Sequence, residues 1–331
     1  MRIFSGIQPT GRKHLGNYIG AIAQYVAGQD RGEAIYCVVD LHATTVAYDP
    51  QQLRESVYDT AATLLAAGVD LQRSVLFRQS DVLEHSELQW LLSSVVSYGQ
   101  LTRMTQFKDK SVSQGEQITV GLFTYPVLMA ADVLAYRADE VPVGDDQRQH
   151  IELMRDAAER FNARFGETLT VPQGWYPTVG SRIMDLQAPD RKMSTTGGTE
   201  QGTVLVLDEP KQIEKKIKSA VTDSGSEVRR APDKPGISNL IEILAAVRGT
   251  SLDAVEQEFA ASRYGDFKTA VAAAVVEYLA PVRAAYQEIR ADEPELERIL
   301  ALGAGKARVI AADTLQDVRA AMGVGPVRPG R

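Results

Sequence analysis

Apolar residues in the first half of the chain gather in short continuous runs separated by stretches of helical spacing. Arg2–Ile7 predicts a short strand, and the continuous apolar run Ala34–Asp40 predicts a strand covered on both faces. Ser74–Gln79 and Glu140–Val143 predict a third and a fourth strand. Tyr18, Ile19, Ile22, Tyr25 and Val26 recur at helical spacing, and Pro50 suits the first turn of a helix ending near Gly68. Strands alternating with helices imply a parallel sheet with right-handed crossovers. From Asp208 onward the pattern is helical, over Pro210–Ala220, Ile237–Val247, Leu252–Ala261, Asp266–Ile289 and Pro294–Met322. The alanine-rich run Thr269–Val276 adds high helix propensity.

The expected fold is therefore α/β, a Rossmann-like doubly wound parallel sheet with a C-terminal all-helical domain. The boundaries read as a catalytic domain over 1–190, a mobile loop over 191–202 rich in Gly, Ser and Thr, a helical domain over 203–290, and a last helix and frayed tail over 291–331. A length of 331 residues suits two domains with cores of their own.

Composition narrows the class. The 36 basic and 43 acidic residues give a net charge of −7, which excludes a generally basic nucleic-acid coat protein but not a local basic patch. Cys37 is the single cysteine, so there is neither an intrachain disulfide nor a C-x-x-C motif. The four histidines, His14, His42, His85 and His150, form no H-x-x-x-H pattern, and no metal-ligand set is expected. The N-terminus carries no apolar signal core, and no stretch approaches a membrane span, so the expected location is cytoplasmic.

Two segments carry candidate chemistry. Gln8-Pro9-Thr10-Gly11-Arg12-Lys13-His14-Leu15-Gly16-Asn17 follows the first strand and opens the first helix. In isolation it reads as a glycine turn. As a phosphate site it would use the close approach allowed by Gly16, free N–H groups at the helix start, and His14 as a donor. It matches neither the dinucleotide fingerprint nor a Walker A loop. The second segment, Lys192-Met193-Ser194-Thr195-Thr196-Gly197-Gly198, lies on the glycine-rich loop. Alone, its lysine is a solvated side chain; beside a nucleotide site it becomes a phosphate clamp.

Together the two segments resemble the paired signatures of class I aminoacyl-tRNA synthetases. His14-Leu15-Gly16-Asn17 stands where that family has H-I-G-H, and Lys192-Met193-Ser194-Thr195-Thr196 stands where it has K-M-S-K-S. The closer resemblance is to the bacterial tryptophanyl branch. It runs over nearly the whole chain, through Phe4–Gly11, Met104–Lys110, Tyr125–Asp132, Val141–Gln147 and Lys215–Asp223.

The resemblance implies activation of L-tryptophan with ATP to tryptophanyl-adenylate, followed by transfer to its tRNA. Attack by an already ionised carboxylate on a phosphate needs positioning and charge stabilisation rather than a general base, which fits the absence of an obvious nucleophile–base pair. By resemblance, Gln8, Pro9, Thr10, Gly16 and Asn17 lie along ATP. His14, Lys110 and Lys192 serve the phosphates, with Met193, Ser194, Thr195 and Thr196 in the same loop. Gly144, Asp145 and Asp146 hold the ribose side, and Ile183 meets the adenine. Mg²⁺ shares the pyrophosphate charge.

For the amino acid, Asp132 is the informative residue. It sits in the apolar helix Pro126–Tyr136, where a carboxylate is costly unless partnered. A structural hydrogen bond would explain it. So would a role as acceptor for indole, which offers one N–H and no acceptor. Phe4, Met129, Val141 and Val143 would wall the ring, though each alone reads as core. His42 would lie near the ring, while Tyr125 and Gln147 resemble residues that hold the ammonium group. His85 and His150 are read as structural.

For tRNA, the basic residues Lys211, Lys215, Lys216 and Lys218, and the cluster Arg229, Arg230 and Lys234, read equally well as binding surface or as solvated helix faces. The resemblance implies an anticodon-binding helical domain and a homodimer on which one tRNA spans both subunits. Two other readings stay open: a tyrosyl-tRNA synthetase, and a synthetase-like paralogue with a regulatory or drug-tolerance role, the latter motivated by Thr195 in place of the signature's second lysine.

Overall fold

A computed structural model describes residues 1–9, 11–105, 118–176, 183–195 and 197–326. Thr10, Lys110 and Thr196 lie outside the described residues. Contacts divide the chain into two compact units. The first comprises Met1–Thr10, Ala27–Tyr176 and Asp292–Arg331; the second comprises Gly11–Val26 and Pro177–Ala291. These groupings cut across the boundaries drawn along the sequence, because the first signature turn packs with the second half of the chain and the last helix packs with the first.

The first unit is built on a five-stranded sheet in the order β3-β2-β1-β4-β5. The strands are β1 (Arg2–Ile7), β2 (Glu33–Val38), β3 (Ser74–Arg78), β4 (Glu140–Pro142) and β5 (Gln173–Trp175), and every pairing is parallel. Five successive residues of β2 are buried, as expected of a strand covered on both faces. Its Cys37 is fully buried, and burial drives the thiol well above its ordinary range. Strand order reverses between β1 and β4. In such sheets ligands bind at the carboxyl ends of the strands beside that switch point.

Local chemistry sets the helix ends. Asp49 caps the Pro50–Ala66 helix by accepting from the Gln52 N–H at 2.7 Å, with Pro50 in the first turn. Thr119 caps Val120–Leu134, whose Leu122, Tyr125, Val127, Ala130, Ala131, Asp132 and Val133 are buried. The Glu293–Met322 helix packs on β3 and on the Glu84–Leu92 helix. No helix among the described residues is long and apolar enough to cross a membrane.

Among the described residues of the second unit the regular elements are helices and isolated bridges, joined by irregular chain. Its helices are Pro210–Lys218, Pro235–Arg248, Leu252–Phe259 and Tyr264–Arg290. Ile213 and Ile217 of the first, and Ile237, Leu240, Ile241 and Leu244 of the second, are buried alongside Phe267, Val271, Val275 and Leu279 of the last.

Candidate functional site

Within the first unit, the carboxyl ends of β2 and β3 deliver polar side chains to one buried carboxylate. After β2 the chain turns into the short helix Asp40–Ala43, which carries His42, and Gln79 follows β3 directly. Asp132, 2 % exposed, comes from the apolar Val120–Leu134 helix. Its Oδ2 lies 2.7 Å from His42 Nε2, and its Oδ1 accepts from Gln79 Nε2 at 2.6 Å and lies 2.6 Å from His85 Nδ1. The other ring nitrogen of His85 stands 2.7 Å from the Tyr136 hydroxyl. Burial alone would raise the Asp132 carboxyl. The attraction and hydrogen bonds of His42, with those of His85, outweigh it and hold the group well below the usual carboxylate range. The result is a preorganised anionic acceptor in apolar surroundings.

The apolar residues beside it fall into two classes. Phe4 and Val141 are buried, and Phe4 stacks on Tyr136 at 5.3 Å. Met129 and Val143 are half-buried and pack against the same core cluster. The His42 ring lies edge-on to Tyr125 at 6.3 Å between centroids. The Tyr125 hydroxyl lies 2.9 Å from His150 Nε2, and burial pushes that phenol up to about 12. Gln147 donates to Asp146 Oδ2 at 2.6 Å in the single turn Asp145–Gln147, which follows Gly144 at the end of β4. Gln8, exposed, and Pro9, buried, follow β1 across the switch point.

His85 and His150, read as structural, have buried partners here: one bonds Asp132 and the other bonds Tyr125. A sequence signal existed for both. His85 shares a helix face with Leu88 and Leu92, and His150 neighbours Ile151, Met154 and Ala157, all buried. A histidine on an apolar stripe must find a polar partner. Gln79 carried no comparable signal.

The second unit holds both signature segments on one scaffold. The His14 and Leu205 backbones form an antiparallel bridge, with the Leu15 N–H on Val204 O at 2.8 Å and the Val206 N–H on Lys13 O at 2.9 Å. Two residues before Leu205, the Thr203 hydroxyl donates to Ser194 O at 3.0 Å. Thr203–Val206 thus joins the His14 turn to the Lys192 loop. Gly11 lies in the left-handed region at φ +60°, and a Cβ added there would come 3.2 Å from the Thr195 hydroxyl.

His14 caps its turn: Nδ1 accepts from the Asn17 N–H at 3.2 Å, and the His14 N–H donates to Asn17 Oδ1 at 3.2 Å. An accepting Nδ1 leaves the proton on Nε2. Burial, then the positive charges of Lys192 and Lys13, lower this imidazole to about 4, so it is neutral near pH 7. Burial also lowers Lys13 to about 8. A π-helical turn, Tyr18–Ile22, follows. Gly16 lies against the His14 ring and Ile183, itself 1 % exposed.

The basic residues considered for tRNA are partly consumed in folding. Lys216 is buried, donating to Asp208 Oδ2 at 2.6 Å and Thr203 O at 2.8 Å. Lys234 is buried against Asp223 and Tyr264, while Arg229 pairs with Glu227 and Arg230 with Glu256 and Asp253. Lys211 and Lys215 remain exposed.

The sequence matches, over residues 1–280, the family described as tRNA synthetases class I (W and Y). The chain belongs to that family. It is 50 % identical over 330 residues to tryptophan–tRNA ligase 2 of Streptomyces avermitilis, covering 99 % of this chain and 98 % of the relative. It is likewise 50 % identical to the tryptophan–tRNA ligase of Mycobacterium leprae, covering 99 % and 97 %. Among solved structures, tryptophanyl-tRNA synthetase from Mycoplasma pneumoniae superposes with a TM-score of 0.90 at 36 % identity, covering 98 % of each chain. The Campylobacter jejuni enzyme, solved with ADP and tryptophan, gives 0.83 at 34 % identity, covering 98 % of this chain and all of that one. A tyrosyl-tRNA synthetase from Aeropyrum pernix shares the fold, with a TM-score of 0.70 at 20 % identity over 92 % of this chain and 90 % of that one.

Proposed function

We propose that this synthetase joins L-tryptophan to ATP as tryptophanyl-adenylate and transfers the tryptophanyl group to its tRNA. The observation that carries this reading is the end-to-end likeness, at 50 % identity, to relatives named tryptophan–tRNA ligase. The anionic Asp132 acceptor supports it physically. Indole presents a single N–H donor, and phenylalanine would add none to those that His42, Gln79 and His85 already bring to the carboxylate.

In the activation step the tryptophan carboxylate attacks the α-phosphorus. A carboxylate–phosphorus bond forms, the bond to the bridging oxygen breaks, and pyrophosphate leaves with the electron pair. No proton is removed from the nucleophile. Asp132 takes the indole N–H, with Phe4, Met129, Val141 and Val143 around the ring and His42 beside it. Tyr125 and Gln147 take the ammonium group. The resemblance assigns Gln8, Pro9, Thr10, Gly16 and Asn17 to ATP binding, Ile183 to the adenine, and Gly144, Asp145 and Asp146 to the ribose. His14, neutral with its proton on Nε2, donates to a phosphate oxygen. Lys110 and Lys192 balance the charge that grows on the leaving pyrophosphate. Met193, Ser194, Thr195 and Thr196 complete the loop. No cluster of three potential metal ligands exists among the described residues. Mg²⁺, which the resemblance to the family implies, would share the negative charge of the nucleotide's phosphates.

The same reading gives a cytoplasmic homodimer. Leu83, Trp90, Tyr98 and Val120 are each at least 74 % exposed, an apolar set on neighbouring elements of the first unit that a second copy would cover. Trp90→Glu should shift the sedimenting species toward monomer. An unchanged species would remove this face from the interface. Tryptophan-dependent ATP–pyrophosphate exchange, compared across all amino acids, tests the activity; exchange driven by tyrosine instead would refute it.

A further inference from the structure

A buried carboxylate with no part in the activation chemistry ties down the Lys192 loop. Asp185 is 1 % exposed. Its strand-like segment pairs with the start of the signature: the Met193 N–H donates to Ile183 O at 3.0 Å, the Asp185 N–H donates to Arg191 O at 2.9 Å, and Met184 lies opposite Lys192. The Asp185 carboxylate then reaches both ways along the loop. Oδ1 accepts from the N–H groups of Gln187 at 2.8 Å and Ala188 at 3.1 Å, in the turn before Lys192. Oδ2 accepts from the Thr199 N–H at 3.3 Å, in the turn after Thr195. A carboxylate suits this task, since its two oxygens can accept all three donors at once.

Two further observations place the latch under constraint. An added Cβ at Gly202 would fall 1.8 Å from Asp185 Oδ1, so glycine alone lets the backbone pass the carboxylate. From the helical side, Asn239 holds the same segment by both backbone groups of Met184: its Oδ1 accepts from the N–H at 2.8 Å and its Nδ2 donates to the carbonyl at 3.0 Å.

We propose that Asp185 is a positioning residue for Lys192. It fixes the backbone from which the lysine reaches the phosphates, by stapling the turns on either side of the signature. The inference rests on the reading that Lys192 serves the leaving pyrophosphate. The segment after Thr195 is rich in glycine and threonine, and without the staple it would sample many conformations. A flexible lysine on a displaced backbone loses alignment in the transition state while tryptophan binding is untouched.

The test uses the intact enzyme with Asp185→Ala, Asp185→Asn and Gly202→Ala. Tryptophan-dependent pyrophosphate exchange and amide hydrogen exchange over 183–203 are measured together. For Asp185→Ala the expected result is a fall in kcat of about 10- to 100-fold, with the tryptophan KM unchanged within about twofold and faster amide exchange over 194–202. Asp185→Asn keeps an oxygen for Gln187 and Ala188 but turns an NH₂ toward the Thr199 N–H, so its rate should fall between those of the parent and Asp185→Ala, with faster amide exchange confined to the turn after Thr195. Gly202→Ala should reproduce the loss with the carboxylate present, and it carries the test if Asp185→Ala does not fold. Faster amide exchange with an unchanged kcat would overturn the proposal, as would equal losses in kcat and tryptophan affinity. Lys192→Ala, run in parallel, separates the premises. If it keeps full rate, the reading of Lys192 fails and takes this proposal with it. If it loses rate while the Asp185 and Gly202 variants do not, only the Asp185 proposal fails.

Discussion

Replacing Asp132 by asparagine removes one charge and almost no volume, so its consequences follow from hydrogen bonding alone. Two donors, Gln79 Nε2 and the His85 ring, converge on Oδ1 at 2.6 Å. In Asp132→Asn the amide oxygen must take that side. The NH₂ then turns toward His42, which lies 2.7 Å from Oδ2 and can accept by changing tautomer. An indole N–H entering the pocket meets a second donor instead of a carboxylate. A hydrogen bond to a charged group is worth about 1.5–3 kcal/mol, or about 10- to 150-fold in affinity at ~1.4 kcal/mol per decade. Phenylalanine, which makes no such bond, should lose nothing. The assay is the ratio of kcat/KM for tryptophan to that for phenylalanine in pyrophosphate exchange, with folding checked by urea titration. A folded Asp132→Asn variant with the parental ratio would refute the assignment of Asp132 to the indole.

Other outcomes follow from the same geometry. Lys192→Ala should lower the activation rate far more than tryptophan affinity, and Thr195→Lys should speed activation or leave it unchanged; its abolition would reveal a specific role for the hydroxyl. Since burial lowers Lys13 to about 8 and His14 to about 4, the free enzyme keeps the Lys13 charge below pH 8 and loses it above, while His14 is neutral from about pH 5 upward. The kcat/KM for ATP should therefore decline above about pH 8, and Lys13→Met should remove that decline; an unchanged alkaline limb would acquit Lys13. Lys216→Met strands the buried Asp208 carboxylate and should cost about 3–5 kcal/mol in urea unfolding, with part recovered in the double variant with Asp208→Asn.

Among the described residues four of the five strands were legible: β1, β2 and β3 carry apolar residues over five or six positions, and β4, itself only three residues long, carries Val141 and runs on to Val143. The fifth, Gln173–Trp175, has three residues and a central glycine, too little pattern to separate it from a loop. Asp40, read as the end of a strand, instead starts the short helix that places His42. The helices of the second half matched to within a few residues because amphipathic spacing and prolines in first turns are local signals. The network around Asp132 was legible at one node only. A lone carboxylate in an apolar helix is conspicuous, whereas its partners Gln79 and His85 lie 53 and 47 residues away and meet it only through folding. Charge runs misled for the same reason, since Lys216 and Lys234 look solvated along the sequence and are buried against Asp208 and Asp223.

The most direct measurement is aminoacylation of total bacterial tRNA by the purified protein, supplied in turn with labelled tryptophan and labelled tyrosine. The account predicts ATP-dependent attachment of tryptophan to one tRNA acceptor and none of tyrosine. Attachment of tyrosine, or formation of tryptophanyl-adenylate with no transfer to any tRNA, would contradict it.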